Sequence, residues 1–253
     1  MFDLIDECGQ DLSACGYEST TLSKFGVVAN RLKIDSDHKA EKTGFAKGNY
    51  FILNAPLLAN LMPEHFDFLK KEITNRLKFL FLENKLKKNA KVLFVGIGNP
   101  QIISDYLGVK TVEKININSF KKNNRIYKIM PNVFSNTGIN AYEMIKLVVE
   151  CFDISAVILV DSLATTNIFR LGCSIQLNDA GLTPGSALNN FGKAISKKTL
   201  NVPCFSIGVP MMIAASVFEK KSDLILTEKD VEEKVEFLSR LLAECLNDLF
   251  GQT

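Results

Sequence analysis

Two aspartates are the residues in this chain best placed for chemistry. Asp105 comes soon after the run Lys91-Val-Leu-Phe-Val-Gly-Ile-Gly98, in which apolar, β-branched residues end in a glycine turn. Asp161 directly follows Ser155-Ala-Val-Ile-Leu-Val160, a second run of the same kind. Short continuous apolar runs read as strands buried on both faces, the habit of parallel sheets. In an open α/β sheet the chemistry sits outside the carboxyl ends of the strands, so both aspartates are expected on one edge. Neighbouring strands lie roughly 5 Å apart, which lets the two carboxylates face each other across one crevice. Like charges at close range do not both ionise, so such a pair shares a proton. One acid then acts as base toward a water while the other polarises the carbonyl under attack. That chemistry is hydrolysis of a peptide or amide bond without a metal. Taken singly, either aspartate could instead cap a helix.

Other chemistries find less support. Gly96-Ile-Gly-Asn-Pro-Gln101 opens like a dinucleotide fingerprint, but Gln101 stands where a third glycine should permit close helix packing. No G-x-x-x-x-G-K-[ST] phosphate loop and no G-x-S-x-G elbow occur. The six cysteines form no CxxC pair and the only histidines are His38 and His65, so structural zinc has no ligand set. No cofactor and no metal are expected.

The elements that must position the two acids follow from periodicity. Phe25–Asp35 and Asn49–Asn54 read as a pair of antiparallel strands, with Gly44 and Gly48 in the loop between them. Pro63 opens a helix in which Phe66, Leu69, Ile73, Leu77 and Leu80 repeat at helical spacing. Strand Val92–Val95, a helix near Ser104–Ile115, strand Ile126–Met130, a helix across Gly138–Cys151 and strand Ala156–Val160 then alternate. Later apolar runs are Ser174–Leu177 and Pro203–Ile207, and the last helix is expected from a cap at Thr227. This alternation predicts one α/β domain over residues 1–253 with a mostly parallel, mixed sheet and N-terminal antiparallel strands. Residues 1–20 show no period and read as a loosely docked arm. The loop Asn178–Asn190 is long and dense in turn residues, which predicts a functional loop over the same edge, with Asp179 and Ser186 near the cleft.

Composition narrows the setting. Hydrophobic residues make up 47% and charged residues 23% of the 253, ordinary for a globular chain. A formal net charge of +2 gives no ground for a nucleic-acid partner, and no apolar stretch approaches a membrane span. The acidic start, Met1-Phe-Asp-Leu-Ile-Asp-Glu-Cys8, lacks the basic and apolar regions of a signal peptide, so a cytoplasmic protein is expected.

Several segments together resemble the bacterial spore germination protease family. Its Gly-Leu-Gly-Asn turn and the stretch after it are similar to Gly96-Ile-Gly-Asn99 and Ile103-Ser-Asp-Tyr-Leu-Gly-Val109. Its Pro-Gly-Val…Thr-Gly-Ile-Glu resembles Pro131–Asn140, and its Ile-Asp-Ala-Leu-Ala resembles Val160-Asp-Ser-Leu-Ala164. Ile175-Gln-Leu-Asn-Asp-Ala-Gly-Leu182, Pro184-Gly-Ser186, Ile207-Gly-Val-Pro210 and Lys47-Gly-Asn-Tyr50 fit in the same order. The resemblance places the family's catalytic pair on Asp105 and Asp161, and substrate contacts on Gly98, Asn99, Gln176, Asp179, Gly181 and Ser186. It implies a three-layer, phosphorylase/hydrolase-like fold related to hydrogenase-maturation endopeptidases. It further implies a homo-oligomer, a tetramer in the family, that cleaves small acid-soluble spore proteins in the forespore. Family members are zymogens with a removable N-terminal segment. Here the family-like Asp3-Leu4 stands almost at Met1, so activation of that kind is not expected.

The family's pattern changes near the pair: Ile103-Ser104 replaces Thr-Pro, and an arginine is replaced near Thr166. Met211 and Ala214 replace a threonine and an aspartate, and Ala187 and Leu188 replace glycines. Two alternatives therefore stay open: a catalytically weak binding or assembly protein of sporulation, and a maturation peptidase with one dedicated protein substrate.

Overall fold

The computed structural model describes residues 3–8, 12, 16–22, 24–59, 62–117, 125–185, 192–214 and 225–251. In chain order they form β1 (Glu18–Thr21), β2 (Val28–Ile34), α1 (Asp37–Thr43), β3 (Gly48–Asn54), α2 (Pro63–Glu83), β4 (Val92–Gly96), α3 (Leu107–Glu113) and β5 (Ile126–Ile129). There follow α4 (Phe134–Thr137), α5 (Ala141–Phe152), β6 (Ala156–Thr165), β7 (Ser174–Asn178), α6 (Lys197–Leu200), β8 (Cys204–Ala214), β9 (Ile225–Leu226) and α7 (Val231–Phe250).

One nine-stranded sheet runs in the order β1-β2-β3-β7-β8-β6-β4-β5, with β9 paired to β8. The period of two in each strand sorts its side chains between two helical layers. Val92 and Phe94 join Ile158, Val160, Phe205 and Ile207 beneath Leu69, Ile73 and Leu77 of α2 and Leu238, Leu241 and Leu242 of α7. Leu93 and Val95 face the other way, where Val157 and Leu159 meet Tyr142, Ile145 and Val149 of α5. The result is a three-layer α/β fold. Fully burying one such aliphatic side chain is worth about 1.5–3 kcal/mol, so these two clusters dominate its stability.

Three differences from the expectation drawn from the sequence bear on the site. First, β5, β4, β6 and β8 are parallel, but β7 joins β8 antiparallel and so do the strands beyond it. A strand buried on both faces looks the same in either direction, so Ile175 and Leu177 carried no sign of this reversal. Second, β6 continues through Asp161 to Thr165, paired with β8 well past the end of β4. The polar pair Asp161-Ser162 interrupts the apolar run without ending the strand. Third, the described part of the arm is not loosely docked. Leu4 and Ile5 have no exposed surface, and Ile5 packs with Leu32, Ile34, Tyr50 and Ile52.

The connection through Gly44 holds α1, a helix of seven residues. The Ser36 hydroxyl starts it by accepting the Lys39 N–H at 3.3 Å, and Gly44 ends it at φ 76°. Thr227 does not cap α7; its hydroxyl donates to the Met211 carbonyl at 2.7 Å. No helix among the described residues is long and apolar enough to cross a membrane.

Candidate active site

Asp161 lies one residue beyond the last pairing of β6 with β4, which matches Val160 to Gly96. On its other side it is level with Gly208 of β8. Past Gly96 the chain leaves the sheet, and the space beside Asp161 is filled by the turn that carries Asp105. Glycine makes this turn possible. Gly98 sits at φ 126°, and a Cβ there would come within 1.9 Å of the Asp105 carbonyl oxygen. Gly108, at the start of α3, lies so close to the strand ends that a Cβ would meet the Val160 carbonyl at 2.2 Å. The Ile97 N–H donates to that same carbonyl at 2.8 Å, which ties the turn to β6.

Within the turn, the Asn99 N–H donates to Asp105 Oδ2 at 2.8 Å, and Asn99 Oδ1 accepts the Gln101 N–H at 3.0 Å. Asp105 belongs to a single 3-10 turn, Ile103–Asp105, and provides no side-chain cap for α3. Asp161 is part of a strand. Capping therefore accounts for neither acid.

Both carboxyls hold their protons more firmly than an ordinary aspartate. Burial raises Asp105 to about 6, against the opposing pull of the Asn99 N–H. Asp161 is raised well above the usual carboxylate range, first by burial and then by the negative charges of Asp105 and Asp3. A hydrogen bond from the Ser162 backbone acts in the opposite direction. Of the two, Asp161 is the one that burial and its neighbours' charges drive toward the protonated form, while Asp105 is raised to about 6. An ionised acid beside a protonated one can take a proton from water and donate one to a carbonyl oxygen.

Among the expected substrate residues, Gly98 and Asn99 lie in the Asp105 turn. Gln176 lies on the same row of the sheet as Asp161, with Gly208 between them. Its Nε2 donates to the Asp3 carbonyl at 2.9 Å and its Oε1 accepts the Ile5 N–H at 3.0 Å. Asp179 and Gly181 are not brought to the cleft. Because β7 runs antiparallel, Asn178 pairs with Ser206, and Asp179 falls roughly 10 Å down the strand direction from the row of Asp161. There it accepts from the Asn49 N–H (2.6 Å), Asn49 Nδ2 (3.0 Å) and Asn84 Nδ2 (2.7 Å), joining β3 to the end of α2. Gly181, at φ 86°, lies against the Ile195 carbonyl, which a Cβ would approach to 2.0 Å. The expectation that this loop overhangs the acids is corrected for its described residues; Ser186 lies outside them.

A residue near the two acids that the sequence did not point to is Asp3. Its Oδ2 accepts the Ala164 N–H at 2.9 Å, and its charge reaches Asp161. The only signal was the acidity of the first eight residues. Among the described residues, no three His, Cys, Asp or Glu side chains converge to hold a metal ion.

A family model described as germination protease matches residues 10–248. The germination protease of Clostridium acetobutylicum is 28% identical over 221 residues, 82% of this chain and 68% of that protein. That of Oceanobacillus iheyensis is 33% identical over 193 residues, 72% of this chain and 53% of its own length. That of Priestia megaterium is 30% identical over 212 residues, with 79% and 57% covered. The chain spans about half to two thirds of the length of these curated relatives.

Proposed function

The chain belongs to the germination protease family, and on that premise we propose that it is an endopeptidase working through Asp105 and Asp161. The observation that carries this reading is the pair of buried carboxyls at the carboxyl end of β4 and β6, with the charge of Asp105 acting on Asp161. Ionised Asp105 takes a proton from a water as its oxygen attacks the peptide carbonyl. Protonated Asp161 gives its proton to the carbonyl oxygen, so that a neutral gem-diol forms. On collapse, Asp105 returns the proton to the leaving nitrogen, Asp161 recovers its own from the diol, and the C–N bond breaks. No metal takes part in these steps.

The proposed substrates are small acid-soluble spore proteins, with the forespore cytoplasm as the setting and a homo-oligomer, a tetramer in the family, as the working form. Support for these comes from the resemblance of the ordered motifs around the two acids. Gly98, Asn99 and Gln176 are the substrate contacts that the geometry favours. The test is incubation of purified chain with small acid-soluble spore proteins, comparing wild type with Asp161→Asn. Defined fragments from wild type alone support the proposal; identical inertness of both sinks it. The second reading, a binding protein without catalysis, draws on the filled state of the cleft, where residues 3–5 already hold Gln176.

A further inference from the structure

At the edge of the sheet opposite the two acids, the amino ends of three parallel strands border a cavity of about 380 Å³. Ala90 stands just before β4, Ser155 just before β6 and Pro203 just before β8, and all three line it. The chain leaving α2 supplies the rest of the wall, with Lys85, Lys87 and Asn89. Backbone bonds hold this wall in place. The Ser155 N–H donates to the Lys91 carbonyl at 2.8 Å, the Val157 N–H to the Pro203 carbonyl at 2.9 Å and the Ala90 N–H to the Lys87 carbonyl at 3.0 Å.

The charge at this edge is one-sided. From Glu83 to Lys91 the chain carries four lysines and one acid. Lys91 pairs with Asp153 at 3.8 Å, while Lys85, Lys87 and Lys88 have no acidic partner among the described residues. Arg125 donates to the Lys88 carbonyl at 3.2 Å and brings a further cation to the same end of the sheet. The Asn89 amide and the Ser155 hydroxyl make no side-chain hydrogen bond among the described residues. Lys85 follows α2 at φ 53°, a left-handed position where glycine or asparagine is usual. Gathered like charges repel one another, and a bound anion relieves that repulsion. Lysine offers a compact point charge that suits phosphate oxygens, whereas planar carboxylates favour the fork of arginine. The volume falls within the ~300–1,000 Å³ of small-ligand sites.

We propose that this cavity is a binding site for a multiply charged phosphate ligand. Lys85 and Lys87 neutralise its charge, and Asn89 and Ser155 donate hydrogen bonds to its oxygens. A free oligophosphate or phosphate ester and the backbone of a nucleic acid share this chemistry. Because the wall comes from the exit of α2 and the entries of β4, β6 and β8, bound ligand ties these elements together and stabilises the fold. The site stands independently of the endopeptidase reading.

The test uses the full chain with two probes, tripolyphosphate and a short single-stranded oligothymidylate, at low salt. Binding is read by titration calorimetry and by the rise in Tm. At a probe concentration about 100-fold above Kd, Tm is expected to rise by about 5–10 °C. Lys85→Gln/Lys87→Gln is expected to weaken binding about tenfold or more. Asn89→Ala/Ser155→Ala, which keeps every charge, is expected to weaken it severalfold. Lys42→Gln/Lys71→Gln removes the same charge from α1 and α2 outside the cavity, and is expected to change Kd by less than about twofold. Tighter binding of tripolyphosphate assigns the site to a free phosphate ligand. Tighter binding of oligothymidylate, falling steeply with salt, assigns it to a nucleic-acid backbone, and either result supports the proposal. An equal loss in the Lys42 and Lys71 control, an unchanged Kd in the Asn89 and Ser155 variant, or no binding of either probe at about millimolar concentration overturns it.

Discussion

Asp161 and Gln176 stand on one row of the sheet, separated only by Gly208. The missing side chain at that position is occupied by Leu163, whose Cδ1 would lie 2.5 Å from a Cβ built on Gly208. Leu163 thus packs over the row between the acid and the amide that grips a peptide backbone.

Gly208→Val forces Leu163 up into that row. Overpacking of this kind costs about 1–3 kcal/mol, and for a chain of this size each kcal/mol is worth about 2–4 °C of Tm. With a substrate backbone proposed to lie on this row, KM for protein substrate is expected to rise more than kcat falls. Thermal melts and steady-state kinetics check both; an unchanged KM would falsify the placement of substrate on this row.

In the proposed mechanism, Asp105→Asn and Asp161→Asn each remove one partner of a shared proton. Either is expected to cut kcat by about 10²–10⁴-fold, the usual worth of general acid–base catalysis. The double variant is expected to be no worse than the poorer single one, since the two act as a unit. Losses that multiply in the double variant argue for independent roles. Cleavage that survives Asp105→Asn but not chelators, and returns with zinc, moves the chain toward the metal-dependent maturation peptidases.

Much of this site was legible from residues that obey local rules. Val92–Val95 and Ala156–Val160 announce buried strands by composition alone, and Gly98 announces a turn, so the position of the two aspartates at these strand ends could be read ahead. Asp179 misled because a doubly buried strand hides its direction: the reversal of β7 depends on the connection from β6, not on Ile175 or Leu177. The arm was invisible for another reason. Its bonds to Ala164, Thr165, Thr166, Arg170 and Gln176 span more than 150 residues of sequence, and no local period encodes such contacts.

Asp179 provides a structural contrast to the two acids of the proposed mechanism. Its three accepted bonds, from the Asn49 N–H and from the amides of Asn49 and Asn84, hold β3 and the end of α2 together. Asp179→Ala leaves those donors partly buried and unpaired, at a cost of about 2–3 kcal/mol. Tm is expected to fall while kcat, measured well below the melt, stays at the wild-type level. A variant with normal Tm and lost kcat would return this loop to the site.

The pH dependence ties stability to activity with opposite signs. The folded protein holds the Asp105 proton up to about pH 6, whereas an unfolded aspartate releases it near pH 4. An acid whose folded pKa is raised adds no penalty below its unfolded pKa and its full penalty above the folded one. Stability is therefore expected to fall as pH rises between these values, by about 3 kcal/mol from Asp105. Asp161, raised further by burial and by the charges of Asp105 and Asp3, extends the decline to higher pH. Asp105→Asn abolishes the first part of that penalty, so its Tm should exceed wild type at pH 7 and converge on it toward pH 4. Activity runs the other way through the same step. It rises as Asp105 ionises near pH 6 and falls once Asp161 loses its proton, giving a bell-shaped profile. Melts of wild type and Asp105→Asn from pH 4 to 8, beside the wild-type pH–rate profile, check both limbs. A Tm difference that is constant with pH, or a rate that falls through pH 6 from below, contradicts the assignment of Asp105 as base and Asp161 as acid.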